Sequence, residues 1–251
     1  MTETSAPLRI LSSNIQAGSR TRAYREYVTR SWSHVLPNGK SANLDDLARL
    51  TSQFDIVGLQ ESDPGSLRSG FDNQGNVLAE LGKFPFHSHQ ANRRIGRIAG
   101  SGNALLSRLE PVEMLDYVLP GRLAGRGVLI ATFGTGKQSW QLAITHLSLG
   151  VKSRQLQCNF LADLFGDTRR LVLMGDFNCE ATANEMQVLY RRTRLQPPPE
   201  RINTFPSWAP TRSLDHILCA GFEVSDYAPV IAAGSDHLAV SASIRDPMLA
   251  V

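Results

Sequence analysis

The apolar run Leu171-Val172-Leu173-Met174 stops at Gly175-Asp176-Phe177-Asn178, and this junction constrains the fold more than any other stretch of the chain. Four consecutive apolar residues of strand length are buried on both faces, so the strand they form needs cover above and below. A carboxylate and a carboxamide two residues apart at its end point to the same face of the rim, where they can hold a water or a metal ion. Asp and Asn at such a place also start an ordinary turn, so the tetrad by itself leaves both readings open.

Other runs supply the partners of that strand. Leu8–Asn14 reads as a first strand and residues 55–61 as a second, fully buried one. Between them Asn43 can cap a helix carrying Leu44, Leu47, Leu50 and Phe54, and a further helix is expected over 73–81. Strands follow over 102–107, 112–119, 128–133 and 139–147; Gly134-Thr135-Gly136-Lys137 makes the last two a hairpin, so that part of the sheet is antiparallel. A helix over 151–165, the strand over 171–175, a short helix over 183–190 and strands over 214–219, 222–230 and 238–244 complete the chain. Nothing divides it, so residues 1–251 read as one domain of mixed strands with outer helices. The stretches 16–42, 61–71, 90–100 and 196–212 read as loops long enough to carry function.

At 251 residues, 42% hydrophobic and 20% charged, the chain is an ordinary globular one with a sizeable core. Its formal net charge of +3 admits an anionic substrate without the basic footprint of a dedicated nucleic-acid binder. Cys158, Cys179 and Cys219 are odd in number and far apart, which argues against a disulfide framework or a zinc site and for free buried thiols. The polar start Met-Thr-Glu-Thr-Ser-Ala-Pro lacks a secretory apolar region, and no run approaches the ~18 apolar residues of a membrane span. The expectation is a cytoplasmic protein with no transmembrane segment, any membrane contact being peripheral.

Six strand ends carry groups that chemistry could use: Asn14; Glu61; His146; Asp176 with Asn178; Asp236 with His237; and Asp215 near the start of its strand. Each has a bland alternative. Asn14 and Asp236-His237 could be turn residues, Glu61 a surface acid, His146 a satisfied core histidine and Asp215 a strand-start cap. Jointly they are harder to dismiss, because carboxylates and carboxamides at the ends of apolar strands are costly to bury unless paired or bound to a cation. Oxygen donors of this kind select Mg²⁺, with Mn²⁺ as the alternative.

In order along the chain, Ser13-Asn14, Gly58-Leu59-Gln60-Glu61, Gly102-Asn103-Ala104-Leu105-Leu106-Ser107, Ile144-Thr145-His146-Leu147, Gly175-Asp176-Phe177-Asn178, Leu214-Asp215-His216-Ile217 and Ser235-Asp236-His237 resemble the endonuclease/exonuclease/phosphatase superfamily of DNase I-like phosphoesterases. The resemblance implies an α/β fold, a four-layer sandwich of two packed mixed sheets flanked by helices, with the site at one edge of the sheets. It implies Glu61 as the principal metal ligand, assisted by Asn14 and Asp236. Asp176 would orient and deprotonate the attacking water, and Asn178 would help position it or the phosphate. His237, held and kept charged by Asp215, would contact the scissile phosphate, and His146 would donate to a second phosphate oxygen. A metal and two imidazoles suit the charge that builds on phosphoryl oxygens during attack.

The implied activity is Mg²⁺-dependent hydrolysis of a phosphate ester, a phosphodiester of a lipid headgroup or other small molecule being favoured over DNA or RNA. A catalytically silent phosphate-binding module is the alternative from another class; it would lack Glu61, Asp176 or His237, and all three are present. Arginines at 20, 22, 25 and 30, at 93, 94 and 97, and at 191, 192, 194 and 201 could form a basic rim, and Trp32, Phe205 and Trp208 could stack on a substrate or pack beneath their loops.

Overall fold

The computed structural model describes residues 6–15, 41–65, 73–95, 99–122, 125–232 and 234–246. Along the chain run β1 (Leu8–Asn14), α1 (Ser41–Thr51), β2 (Ile56–Ser62), α2 (Gln74–Gly82), β3 (Phe86–Ile95), β4 (Ala99–Ser107), β5 (Glu113–Val118), β6 (Gly127–Phe133), β7 (Trp140–His146), α3 (Val151–Phe165), β8 (Leu171–Asp176), α4 (Gln187–Arg192), β9 (Asp215–Ala220), β10 (Glu223–Val230) and β11 (Ala239–Arg245). The strands form a six-stranded sheet in the order β10-β11-β1-β2-β4-β3 and a five-stranded sheet in the order β5-β6-β7-β8-β9. Both are mixed: β1 runs parallel to β2 and β7 parallel to β8, while their other neighbours are antiparallel.

Three buried clusters define four layers. Between the sheets lie Ile10, Ile56, Leu105, Leu142, Ile144, Val172, Met174, Ile217 and Val240. Outside the five-stranded sheet, Ile130, Ala143, Leu171 and Leu173 meet Leu161 and Phe165 of α3. Outside the six-stranded sheet, Leu11, Val57, Leu59 and Leu106 meet Leu47 of α1 and Leu78 of α2. At roughly 1.5–3 kcal/mol for each large apolar side chain taken fully out of water, covering both faces of each sheet outweighs any local strand or helix preference. The expected four-layer α/β sandwich is therefore what forms.

Because side chains alternate along a strand, the faces can be followed to the strand ends. Ile10 lies between the sheets, so Ser12 and Asn14 share its face; Leu142 and Ile144 lead to His146, Val172 and Met174 to Asp176, and Cys219 and Ile217 back to Asp215. The polar ends of β1, β7, β8 and β9 thus all belong to the face between the sheets.

Some elements depart from the expectations. In the polar stretch expected as a loop over 90–100, residues 90–95 and 99–100 belong to strands, β3 and the start of β4, paired antiparallel. Phe-His-Ser-His-Gln is poor in apolar residues because β3 is an edge strand, with less surface to bury. Helix α1 begins at Ser41, so Asn43 sits in its first turn and is not the cap. Residues 181–186 are turns, and the short helix starts only at Gln187. Asn73 does cap α2, accepting from the Asn76 amide at 3.3 Å. Among the described residues the three cysteines are free and buried, and no helix is long and apolar enough to cross a membrane.

Gly175, in the tetrad, has φ 150°, and a Cβ there would lie 1.9 Å from the Thr145 carbonyl oxygen of the neighbouring strand. Any side chain must pry β8 from β7 just before Asp176. Gly175→Ala is expected to destabilise the protein by about 3 kcal/mol or more, read from the urea unfolding midpoint. A midpoint near that of the parent would show that the strand pair yields without cost.

Candidate active site

Asp176 is the meeting point of the two sheets. Its Oδ2 accepts from Asn14 Nδ2 of the facing sheet at 3.1 Å and lies 3.4 Å from His146 Nε2 and 3.9 Å from His237 Nε2. Its Oδ1 accepts from the Asn178 backbone N–H at 2.9 Å. Burial pushes its carboxyl well above the usual carboxylate range, with Asp215 adding to the shift and His237, the Asn178 amide and Asn14 opposing it.

Glu61 reaches the same place by a different route. Regular alternation would carry it with Val57 and Leu59 to the helix side of its sheet, but the β2–β4 register shifts between Leu59 and Ser62, and Glu61 has φ 57°. This bulge turns the carboxylate toward the other sheet, 3.4 Å from Asn14 Nδ2 and 4.0 Å from His146 Nε2. A left-handed glutamate costs of order 1 kcal/mol, a strain characteristic of functional positions. Its side chain is 33% exposed while those of Asp176, His146 and His237 are 2%, 5% and 8%, so solvent and ligands approach from the Glu61 side.

His237 sits in the loop before β11, its Nδ1 donating to Asp215 Oδ2 at 2.8 Å. Burial alone would lower its pKa, but the Asp215 and Asp176 carboxylates more than offset that and hold it well above the ordinary histidine value. The long loop preceding β9 straps it in place. Leu238 N donates to Thr204 O at 2.8 Å, Ser207 N to Asp236 O at 2.7 Å, and the Phe205 ring stands 4.9 Å from the imidazole, tilted by 51°. Ser235 Oγ donates to Asn14 O at 2.6 Å and accepts from His237 N at 3.0 Å, tying this loop to β1. Asp236 is buried beside Glu61; burial first, then the Glu61 charge, raises its carboxyl above the normal range, with the imidazolium of His237 opposing.

Asn178 is placed differently from the expectation. The strand ends at Asp176, and Asn178 has φ 54°, so the two side chains do not continue a strand alternation. Instead its backbone closes an Asx turn on Asp176 and its Nδ2 donates to Leu147 O at 3.0 Å, joining the ends of β8 and β7. The tetrad forms the turn, and the same turn holds the Asp176 carboxylate between the sheet ends.

Residues not anticipated as part of the site also enter it. Arg126, just before β6, places NH1 2.9 Å from His146 Nδ1. The His146 pKa lies well below its ordinary value, first through burial and then through the Arg126 and His237 charges. Only the spelling Gly125-Arg126-Gly127 at a strand start marked this position. Conversely, His216 of the Leu-Asp-His-Ile block faces away from the site, its Nε2 donating to Cys179 O at 2.9 Å against the ring of Phe177. Arg201 pairs with Glu180 at 2.8 Å and Arg192 pairs with Asp163, so neither extends a free basic rim. Trp32, Arg20, Arg22, Arg25, Arg30 and Arg97 lie outside the described residues.

The donors fit a hard divalent cation. Glu61 and Asp176 share the Asn14 amide, Asp236 feels the Glu61 charge, and the raised proton affinity of the buried Asp176 and Asp236 is an imbalance that a cation relieves. Asn14 donates to both Glu61 and Asp176, and turned over it would offer Oδ1 between them. The ligand atoms of Asp176, Asp215 and His237 also lie within 4.8 Å of one another. In that group Asp215 Oδ2 and His237 Nδ1 are already paired, and Asp215 Oδ1 is buried without a hydrogen-bond partner among the described residues.

The sequence matches the model of the Endonuclease/Exonuclease/phosphatase family over residues 11–237, and the chain belongs to that family. No curated protein matches it. Among solved structures it is similar to an endonuclease/exonuclease/phosphatase from Beutenbergia cavernae (TM-score 0.73, 21% identity, 96% of this chain and 72% of that one). It is also similar to the mannosyl-6-phosphatase of Bacteroides thetaiotaomicron (TM-score 0.65, 18% identity, 94% and 99%) and to sphingomyelinase C from Streptomyces griseocarneus (TM-score 0.62, 17% identity, 95% and 99%). At these identities the likeness establishes the DNase I-like fold.

His216, buried and donating to a carbonyl, is neutral in the folded protein, its pKa lowered chiefly by burial. The unfolded chain, with an ordinary histidine pKa of ~6.5, binds the proton more readily, so this contribution to stability is complete above that pH and is lost as the pH falls below it. Between pH 7 and 5 the unfolding free energy of the parent is expected to fall more steeply than that of His216→Gln, by up to about 1.4 kcal/mol per pH unit. Parallel pH profiles from chemical denaturation would remove His216 from the balance.

Proposed function

We propose that the chain is a divalent-metal-dependent hydrolase, with Mg²⁺ or Mn²⁺ as the metal, that cleaves a phosphodiester by attack of water. The observation that carries the reading is the convergence of Glu61, Asp176, His146 and His237 from both sheets, three of them buried and the fourth open to solvent.

Glu61, with Asn14 and Asp236, would hold the cation, which when bound supplies charge neutralisation and polarisation at a phosphoryl oxygen. Asp176, whose raised proton affinity suits a base, takes the proton of the attacking water. Asn178 keeps Asp176 aimed through its backbone N–H and holds the β7 end through Leu147. His237, charged against Asp215, stabilises the developing negative charge, and His146 donates from Nε2 to a second phosphate oxygen.

A lipid headgroup or other small phosphodiester is the favoured substrate class. It is supported by the modest net charge and by the internal pairing of Arg192 and Arg201, which commits two of the four arginines of the third cluster. The likeness to a protein named a sphingomyelinase C is in keeping with a lipid-headgroup diester, and that to a protein named a mannosyl-6-phosphatase with a small phosphate ester.

With bis-p-nitrophenyl phosphate as a generic diester and Mg²⁺ or Mn²⁺ added, Asp176→Asn and His237→Gln are each expected to lower kcat by about 10²- to 10⁴-fold while the circular dichroism stays native. Near-parental turnover in either would refute its role. Glu61→Gln is expected to raise the metal concentration for half-activation by about 10-fold or more; an unchanged metal dependence would move the ligand role elsewhere. A metal-supplemented screen of phospholipids, small diesters, DNA and RNA ranks the substrate classes, and preferential cleavage of nucleic acid would overturn the favoured one.

A further inference from the structure

The two imidazoles of the site have opposite backing. His237 is held at Nδ1 by a carboxylate, as the family resemblance implied, whereas His146 meets a guanidinium at the same ring position. A guanidinium carries only donors, so His146 Nδ1 must be the acceptor and the ring proton must reside on Nε2. The other side of the ring agrees, since Nε2 faces acceptors, Asp176 Oδ2 at 3.4 Å and Glu61 Oε1 at 4.0 Å.

Arg126 is delivered to this position by a braced piece of backbone. Its own carbonyl accepts from Leu119 N at 2.9 Å. The carbonyl of the next residue, Gly127, accepts from Asn103 Nδ2 at 3.0 Å and from Thr145 Oγ1 at 3.2 Å, and that of Val128 from Gln90 Nε2 at 3.2 Å. Asn103 and Gln90, both buried, also bond each other at 3.0 Å. Gly125 with φ 99° turns the chain into β6, whose antiparallel register with β7 sets Val128 opposite Thr145 and so Gly127, which has no side chain, opposite His146, and Arg126 just before it reaches the ring. Buried carboxamides from the other sheet are thus committed to the backbone that presents the arginine.

We propose that Arg126 is a positioning residue that locks His146 in its Nε2–H tautomer, so that the ring serves the reaction as a fixed, neutral hydrogen-bond donor to a phosphate oxygen. This deepens the phosphoesterase reading and rests on it for the role of the phosphate. A second N–H at Nδ1 would point at the N–H of Arg126, so His146 gives no proton to the leaving group. The site then divides the work: His237, backed by an anion, supplies positive charge, and His146, backed by a cation, supplies only direction.

The test uses the full chain with ¹⁵N-labelled histidine and long-range ¹H–¹⁵N spectra at fixed neutral pH, His146 being assigned with His146→Gln. The parent is expected to show the Nε2–H pattern. Arg126→Met is expected to show a tautomer mixture and a kcat for bis-p-nitrophenyl phosphate lower by about 10- to 100-fold, with KM and the metal requirement little changed. Arg126→Lys, which restores a donor, is expected to fall between and carries the test if the methionine variant folds poorly. A parental ring protonated at Nδ1 would overturn the proposal, as would variants whose tautomer or kcat equals that of the parent. The spectra need no substrate. Failure of the parent to cleave the diester would therefore count against the functional reading, while the Arg126–His146 pairing is judged by the ring itself.

Discussion

The hydrogen bond from Asn14 to Asp176 is the contact on which the architecture of the site depends. It joins the last residue of β1 in one sheet to the last residue of β8 in the other, at the point where the apolar packing between the sheets ends. Inside that point Ile10, Ile144, Val172 and Met174 exclude water; at it the inter-sheet face of these strands changes from apolar to polar side chains. A carboxylate at this boundary is deprived of hydration and must be satisfied by neighbours. The structure gives it an amide from each side and two imidazoles nearby.

The rest of the constellation is arranged around that deficit. Each sheet has a parallel pair, β1 with β2 and β7 with β8, joined across a helix, and the carboxyl ends of all four strands carry site groups. Ligands of open α/β sheets gather at such ends because the connections leave a crevice there. Glu61 joins only through a bulge and a left-handed backbone, and His237 through a loop strapped by residues 204–207. Local strain and a long loop are accepted where side chains must be re-aimed, and core strands such as β7 and β8 remain regular.

Much of this was legible in the chain itself. The bounds of β1 and α3 coincide with those read from pattern, since both are set by apolar periodicity against turn and glycine signals. The edge strand β3 was not legible, because a strand at the sheet margin buries few side chains and leaves no apolar run to recognise. The start of α1 and the turns over 181–186 depend on tertiary contacts that outweigh capping and helical preferences of a few tenths of a kcal/mol to ~1 kcal/mol.

By itself the sequence determined which residue types stand at the strand ends and, through the two-residue alternation, which residues of its own strand each of Asn14, His146, Asp176 and Asp215 shares a face with. Alternation is a local property of the backbone, so it needs no knowledge of what lies opposite. Only the tertiary structure decided that those faces lie between the two sheets, that Asn178 turns back to brace Leu147, that Phe205 lies against His237, and that Arg126 backs His146. These contacts join residues far apart in the chain or set by turns, and their energies arise from distance, burial and charge, which exist only once the two sheets have packed.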